Sequence, residues 1–326
     1  MLPWLVSAAC FAYLYTRLER AAGPDRSVAA YLYEAFAAVA WGRWVLLMLA
    51  YSVFYLLVDT LVLWRVVNWF NARVRFRELL PVRASAYILS IMNEQVGKGA
   101  IALYLNKRSG VPAWELGSSM LFIMVCELLY LAFWATLGLL LFRGALPAQL
   151  AVFRAVPWVA LAVFAAAAAG VWALRTPRLA GTAWREKPVL RAFREARPWQ
   201  YAVVMAMRSP SLLAAVAVYA VAAGLFGVRI GFFEMLSYLP LVIFGTFVPG
   251  PFRAVAVTMW PTLFPEHAAS MAIFGFVQHN CFVLFNAAIG LLFLRRTNRA
   301  LFERADDDEA AGAALGGARG RSRVPE

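Results

Sequence analysis

The sequence contains few charged residues and few of the side chains that catalytic and metal sites use. Only 15% of its 326 residues are Asp, Glu, Lys or Arg, and it holds two histidines and three cysteines. The cysteines, Cys10, Cys126 and Cys281, stand singly in apolar runs without a metal-binding or redox spacing. The chain has no HExxH, GxSxG, P-loop or paired-aspartate motif. We therefore predict no catalytic residue, no metal site and no cofactor.

Apolar residues are correspondingly abundant. They make up 63% of the chain, well above the roughly 45–50% of soluble domains. A soluble fold of this length cannot bury so many apolar side chains, whereas lipid solvates an apolar helix face directly. The net charge of +13 does not require a nucleic-acid partner, because arginines in membrane proteins mark cytoplasmic loops and contact anionic headgroups. We predict an all-α polytopic membrane protein without a nucleic-acid partner.

The apolar stretches predict six crossings and two hairpins. A crossing helix needs about 20 apolar residues, and the candidate spans are residues 2–18, 44–70, 114–142, 150–174, 201–225 and 268–294. Two further stretches, 78–105 and 230–264, are apolar but contain Gly or Pro beside a cation near their middle. Each half is too short to cross, so each stretch is expected to form a re-entrant pair of half-helices. Such broken backbone requires protein or a water-filled cavity around it.

The two halves of the chain resemble each other. Gly97 matches Gly250 at an offset of 153 residues, and Gly138 matches Gly290 at 152. The connectors 27–40 and 187–197 also correspond, since both are expected to form short interfacial helices before a tryptophan. We predict one membrane domain at 1–302, built of units at about 1–143 and 149–296, and a disordered tail at 303–326. Three crossings in each unit make the second unit an inverted repeat of the first, as in many transporters.

Positive charge is unequally distributed under this topology. One side of the membrane receives 21 Lys and Arg residues, among them Arg83 and Lys98 of the first hairpin, and the other side receives eight. The positive-inside rule then places both termini in the cytoplasm. The aromatic residues are expected in the interfacial belts, without a ligand.

The hairpin tips carry the strongest functional signal. Lys98 lies between two glycines, and Arg253 follows Pro249-Gly250-Pro251. Half-helix N-termini present free N–H groups and partial positive charge, which suit phosphate or carboxylate. The alternative is that each cation extends to its nearest headgroup layer. The predicted residues for binding an anionic headgroup are Asn93, Gly97, Lys98, Gly99, Gly250 and Arg253.

Five further polar residues lie in apolar segments. Asp59 and Arg208 occupy equivalent spans of the two units and could form a structural ion pair. Glu127 and its repeat mate His279 could carry a coupled proton, or could only satisfy internal hydrogen bonds. Glu94 is placed to neutralise Lys98 four residues later if the segment is helical.

Residues 77–112 (RELLP…NEQVGKGAIALYLNKRSGVP), followed by a long span containing Glu127, resemble the flippase-like membrane domain of lysylphosphatidylglycerol synthases, in a distant stand-alone form. The matching positions are Val96-Gly97, Gly110-Val111-Pro112, Glu127 and Pro249-Gly250. Lys98 stands where that family usually has Glu, and Ile101 and Leu128 stand where it usually has Arg. The resemblance covers most of 44–296. It implies a bacterial or archaeal cytoplasmic membrane as the location, and movement of phospholipids, or of polyprenyl-linked or sugar-linked lipids, between leaflets.

These observations favour a lipid flippase or scramblase whose partners are anionic membrane lipids. Lys98 and Arg253 would hold the headgroup phosphate in turn from the two sides. One alternative is a proton-coupled inverted-repeat transporter of a small solute or ion, which would enclose an aqueous cavity without a lateral gap. The other is a membrane-embedded lipid-modifying transferase.

Overall fold

A computed structural model of the chain describes residues 2–91, 94–142, 148–176, 186–248 and 253–320. Every regular element in these ranges is helical, which confirms the all-α prediction. The α-helices are α1 (Leu2–Ala22), α2 (Val28–Ala37), α3 (Trp41–Phe70), α4 (Phe76–Ser90), α5 (Glu94–Ser109), α6 (Ala113–Leu141), α7 (Val156–Arg175), α8 (Arg191–Glu195), α9 (Pro198–Leu225), α10 (Phe232–Gly245), α11 (Ala254–Leu263) and α12 (Ala268–Gly320). Short 3-10 turns occupy Ala148–Ala155, Pro188–Leu190 and Pro265–His267.

Five helices in the described ranges are long and apolar enough to cross a membrane. They are α3, α6, α7 with the turn before it, α9, and α12 as far as Thr297. All five coincide with predicted spans. The prediction of an all-α polytopic membrane protein is therefore confirmed, with five long apolar helices in the described ranges. The first predicted span, 2–18, forms α1, which is not among the five. Its last turns carry Arg17, Glu19 and Arg20.

The two interrupted stretches each form a pair of short helices packed side by side. The arms α4, α5, α10 and α11 have 15, 16, 14 and 10 residues. At about 1.5 Å per residue, none is longer than about 24 Å, whereas the hydrocarbon core is about 30 Å thick. Helix α4 packs against α5, and α10 packs against α11. No single arm is long enough to cross.

The break in the first pair differs from the prediction. Helix α5 already begins at Glu94, so Gly97, Lys98 and Gly99 lie inside a helix and not in a turn. A side chain at Gly97 would overlap the hydroxyl of Ser90 on α4, whereas Gly99 faces open space. Gly97 therefore allows the two arms to approach each other, and Gly99 has no such role. Asn93 lies outside the described residues.

The break in the second pair follows the prediction. Helix α10 ends at Gly245 and α11 begins at Ala254. Arg253 stands immediately before α11 in the left-handed backbone region, with φ at 51°. This conformation is costly for a residue with a β-carbon. Gly250 lies outside the described residues.

Both connectors contain the short helices that the sequence predicts. In the first, the Ser27 hydroxyl accepts a hydrogen bond from the Ala30 amide at 3.1 Å and caps α2, the usual way of satisfying a free N–H at a helix start. In the second, the turn Pro188–Leu190 leads into α8.

Helix α12 extends to Gly320, whereas the sequence predicts a disordered tail from residue 303. Alanine, glutamate and arginine have high helix propensity, and extending a formed helix needs no new nucleation.

Two close contacts join the halves of the chain. At Gly290, α12 packs directly on the Ala84 carbonyl of α4, and at Gly138, α6 packs directly on the Leu236 backbone of α10. An added β-carbon at either glycine would overlap backbone atoms. Helix α3 also packs against α9. The last long helix of each half therefore covers the first hairpin arm of the other half.

Candidate anion-binding cavity

Five charged side chains, each from a different helix, form one buried cluster. They are Asp59 on α3, Arg83 on α4, Lys98 on α5, Glu127 on α6 and Arg208 on α9, and each side chain is only 2–7% exposed. A buried charge without a partner costs several kcal/mol. The cluster is therefore stable only if its ion pairs and hydrogen bonds are complete.

Asp59 is the first junction of the cluster. Arg83 donates through Nε to Asp59 Oδ2, and the Tyr87 hydroxyl donates to the same oxygen at 2.9 Å. Arg208 NH1 lies 2.7 Å from Asp59 Oδ1. Both carboxylate oxygens are therefore occupied, and the predicted ion pair between Asp59 and Arg208 is present.

Glu127 is the second junction. Lys98 Nζ lies 2.6 Å from Glu127 Oε2, and Arg208 donates through NH2 to Glu127 Oε1. Arg208 thus bridges the two carboxylates. Lys98 is paired with a residue of α6, which the sequence did not predict. The side chain of Glu94, its predicted partner, lies outside the described residues.

A cavity of about 100 Å³, lined by many polar side chains, adjoins this cluster. A space of this size holds several water molecules. It lies between Ser90 at the end of α4 and Thr246 and Arg253 at the break between α10 and α11. Its other polar lining residues are Tyr51, Tyr55, Arg83, Tyr87, Glu127, Tyr130, Arg208, Ser211, Tyr219, His279 and Asn286.

The cavity lining is rich in positive charge. Three arginines, Arg83, Arg208 and Arg253, contribute to the described lining, and Glu127 is its one carboxylate. Within the described part of the chain, Arg253 has no hydrogen bond or ion pair. The buried atoms Arg83 NH1 and Arg208 Nε likewise lack an acceptor there. Both atoms have less than 1 Å² of accessible surface, so the charge of the three arginines and the guanidinium of Arg253 are what favour an anion in the cavity.

His279 adds a neutral donor. Its Nε2 accepts a hydrogen bond from Trp260 Nε1 at 2.9 Å, so the proton of the neutral ring is on Nδ1. Trp260 is fully buried, and Gly275 leaves the space that its ring occupies. His279 and its predicted repeat mate Glu127 therefore line the same cavity, from α12 and α6.

The predicted pair of cationic tips is only partly brought together. Arg253 lines the cavity, but Lys98 is not in its described lining and is linked to it through Glu127. Arg253 thus shares the cavity lining with Arg208 and Arg83. Lys98 lies behind the lining and positions the carboxylate of Glu127.

Sequence reasoning missed Arg83 and the tyrosines. The charge distribution predicts Arg83 among the cations on one side of the membrane, but its side chain is 3% exposed and its guanidinium lies 4.5 Å from the centre of the Tyr87 ring. Five tyrosines line the cavity, although the aromatic residues were expected in interfacial belts. The spacing of Arg83 and Tyr87, one helical turn apart on the same face, was the available signal.

No family model, curated protein or solved structure matches this chain. The cavity is therefore interpreted through its own chemistry.

Proposed function

We propose that this chain is a flippase or scramblase that moves a membrane lipid with a phosphate-bearing, anionic headgroup between leaflets. The observation that carries the proposal is the cavity between the two hairpin breaks. Its described lining combines three arginines with one carboxylate, and one of the three, Arg253, has no acceptor in the described chain. The resemblance to the flippase-like domain of lysylphosphatidylglycerol synthases points to the same class of transported molecule.

The proposed architecture is an inverted repeat of six crossings and two re-entrant hairpins in a bacterial or archaeal cytoplasmic membrane, with cytoplasmic termini. Support comes from the contacts of Gly138 with Leu236 and of Gly290 with Ala84. The two glycines and their two partners are separated by the same 152 residues, which is what exchange of two equivalent units requires. Inverted-repeat transporters place their substrate sites at broken helices between the repeats.

Arg253 would bind the headgroup oxygens, and Arg83 and Arg208 would add positive charge to the wall of the cavity. Charge-assisted hydrogen bonds of this type are the strong ones, and guanidinium groups match phosphate geometry. His279 would donate from Nδ1 without adding charge. The ion pair of Lys98 with Glu127 would hold Arg208 in place between its two carboxylates. The cavity volume suits a phosphate group, while the lipid tails would stay outside.

Reconstitution into phosphatidylcholine vesicles with fluorescent phosphatidylglycerol tests this function. Chemical quenching of the outer leaflet measures the translocation rate. We expect wild-type protein to move the lipid and Arg253→Gln to lower the rate at least about tenfold, the loss expected when one strong charged hydrogen bond is removed. Arg65→Gln is the matched control, because Arg65 is exposed on α3. Wild-type rates in Arg253→Gln, or no movement by the wild type, contradict the proposal.

A transporter of free phosphate is the second candidate, because a cavity of about 100 Å³ also holds a small free anion. The same vesicles, loaded with buffer and given radiolabelled phosphate, distinguish the two functions. Uptake of phosphate without lipid movement identifies an anion transporter. Lipid movement without phosphate uptake identifies the flippase.

A further inference from the structure

A second, larger cavity lies away from the charged cluster. It is a groove of about 760 Å³ between α6, α7 and α9. Its surface is formed mainly by Leu129, Phe164, Val171, Trp172, Tyr201 and Met205. Helix α7 packs against α6 and α8, and the groove occupies the space between α7 and α9. All three bordering helices are long and apolar enough to cross a membrane, so a hydrocarbon occupant fits this lining.

One end of the groove is cationic. Arg175, the last residue of α7, lines this end with Thr176 and with Pro198 at the start of α9. Arg175 is exposed, and its NH2 donates to the neutral carbonyl of Ala196. It has no ion pair within the described ranges, so its charge is available to a ligand. An apolar groove that ends at an exposed cation matches a lipid chain with an anionic headgroup.

The groove is one layer of side chains away from the charged cavity. Met205 lines the groove, and Arg208 lines the cavity one turn further along α9. On α6, Leu129 borders the groove, and the next two residues, Tyr130 and Leu131, line the cavity. Met205 also packs on the cluster of Tyr130, Leu131 and Leu212. A lipid in the groove would lie directly beside the wall that holds Arg208.

We propose that this groove is a docking site for the acyl chain of an anionic phospholipid, with the headgroup phosphate at Arg175, from which the lipid reaches the charged cavity. The docking step rests on the proposed lipid-moving function, but binding in the groove can be measured without transport. The site makes the protein selective for anionic lipids before any headgroup enters the cavity.

Photo-crosslinking tests the binding. Wild-type protein is reconstituted in phosphatidylcholine vesicles that contain phosphatidylglycerol with a diazirine in its acyl chain, and adducts are mapped by mass spectrometry. We expect the adducts to concentrate on the parts of α7 and α9 that line the groove. Ala168→Trp fills the groove from α7, and Ala202→Phe fills it from α9. Each should lower these adducts several-fold.

One further variant is a control, and another tests the contact with the headgroup. Ala166→Trp places the same side chain on an exposed face of α7 outside the groove, and it should leave the adducts unchanged. Arg175→Gln should lower the yield with phosphatidylglycerol towards the yield of a phosphatidylcholine analogue. Binding of inorganic phosphate by each purified variant reports whether the central cavity is intact.

Adducts spread evenly over other exposed helices such as α1 would overturn the docking site, as would wild-type yields in both groove-filling variants. Groove adducts in a protein that moves no lipid would leave the docking site standing and contradict the flippase. Lipid movement without groove adducts would contradict the docking site and leave the flippase standing.

Discussion

Arg208 NH1 on α9 lies 2.7 Å from Asp59 Oδ1 on α3, and this ion pair joins the two halves of the chain at their centre. The second terminal nitrogen of Arg208, NH2, donates a hydrogen bond to Glu127 Oε1. Each carboxylate also binds a cation from the first hairpin, Arg83 or Lys98. The cluster thus fixes both hairpin arms of the first half relative to α9. Because its partners come from five helices, loss of one charge is expected to affect the whole core.

Asp59→Asn should strongly destabilise the protein. It removes the anion that Arg83 and Arg208 share, and breaking a buried ion pair from one side typically costs about 3–5 kcal/mol. Thermal unfolding in detergent, followed by tryptophan fluorescence, measures the loss. Asp25→Asn, at an exposed position, is the control and should unfold like wild type. Equal stability of the two variants would show that the cluster does not hold the core.

Glycine-to-alanine substitutions should have opposite effects at two kinds of position. Gly290→Ala and Gly138→Ala place a methyl group against the backbone of a packed neighbour, and overpacking of this kind costs about 1–3 kcal/mol. Gly170→Ala on α7 meets open space and should stabilise its helix by about 0.5–1 kcal/mol. Unfolding temperatures of the three variants test this.

Similar losses at Gly290 and Gly138 are also expected if the two contacts are equivalent. A loss at one site alone would argue against the proposed repeat. Stabilisation at both would mean that the helices separate without cost.

The sequence predicted the long helices and the ion pair of Asp59 with Arg208, because both follow from apolar length and from charges placed within it. It could not predict the pairing of Lys98 with Glu127, since that contact depends on where α5 begins and how it packs on α6. The inward position of Arg83 could not be predicted for a similar reason. Charge counts assign a residue to one side of a membrane, but only the packing of α4 on α3 shows that this arginine points inward.

Acid should weaken the contact between the two arms of the first hairpin, α4 and α5, through Glu78. Burial by itself raises the pKa of Glu78. Hydrogen bonds from the Arg75 side chain and backbone, and the charge of Arg108, lower the pKa by more, so its net shift is below the usual value. Arg108 NH2 of α5 lies 3.0 Å from Glu78 Oε2 of α4. The lowered pKa means that these contacts stabilise the folded state above the ordinary glutamate pKa of about 4.3.

This stabilisation is lost as pH falls through the lowered pKa of the folded state. The difference in unfolding temperature between wild type and Glu78→Gln should therefore be largest near neutral pH and shrink in acid. Arg108→Gln should show a smaller difference with the same pH dependence. A difference that is constant from neutral to acid would exclude a role for the Glu78 charge.

Arg253 should reveal a conflict between stability and function. Its backbone is left-handed, with φ at 51°, a conformation that costs a residue with a β-carbon about 1–2 kcal/mol and glycine almost nothing. Arg253→Gly and Arg253→Gln both remove the charge, but only the glycine removes this strain. We expect Arg253→Gly to be the more stable of the two by about 1 kcal/mol. Both should lose lipid translocation to the same extent, because the anion-binding charge is absent from both.

Comparable thermal unfolding of the two variants would indicate that the backbone at this position is not strained. Full translocation by Arg253→Gly would show that transport does not need the Arg253 charge and would contradict the proposed function.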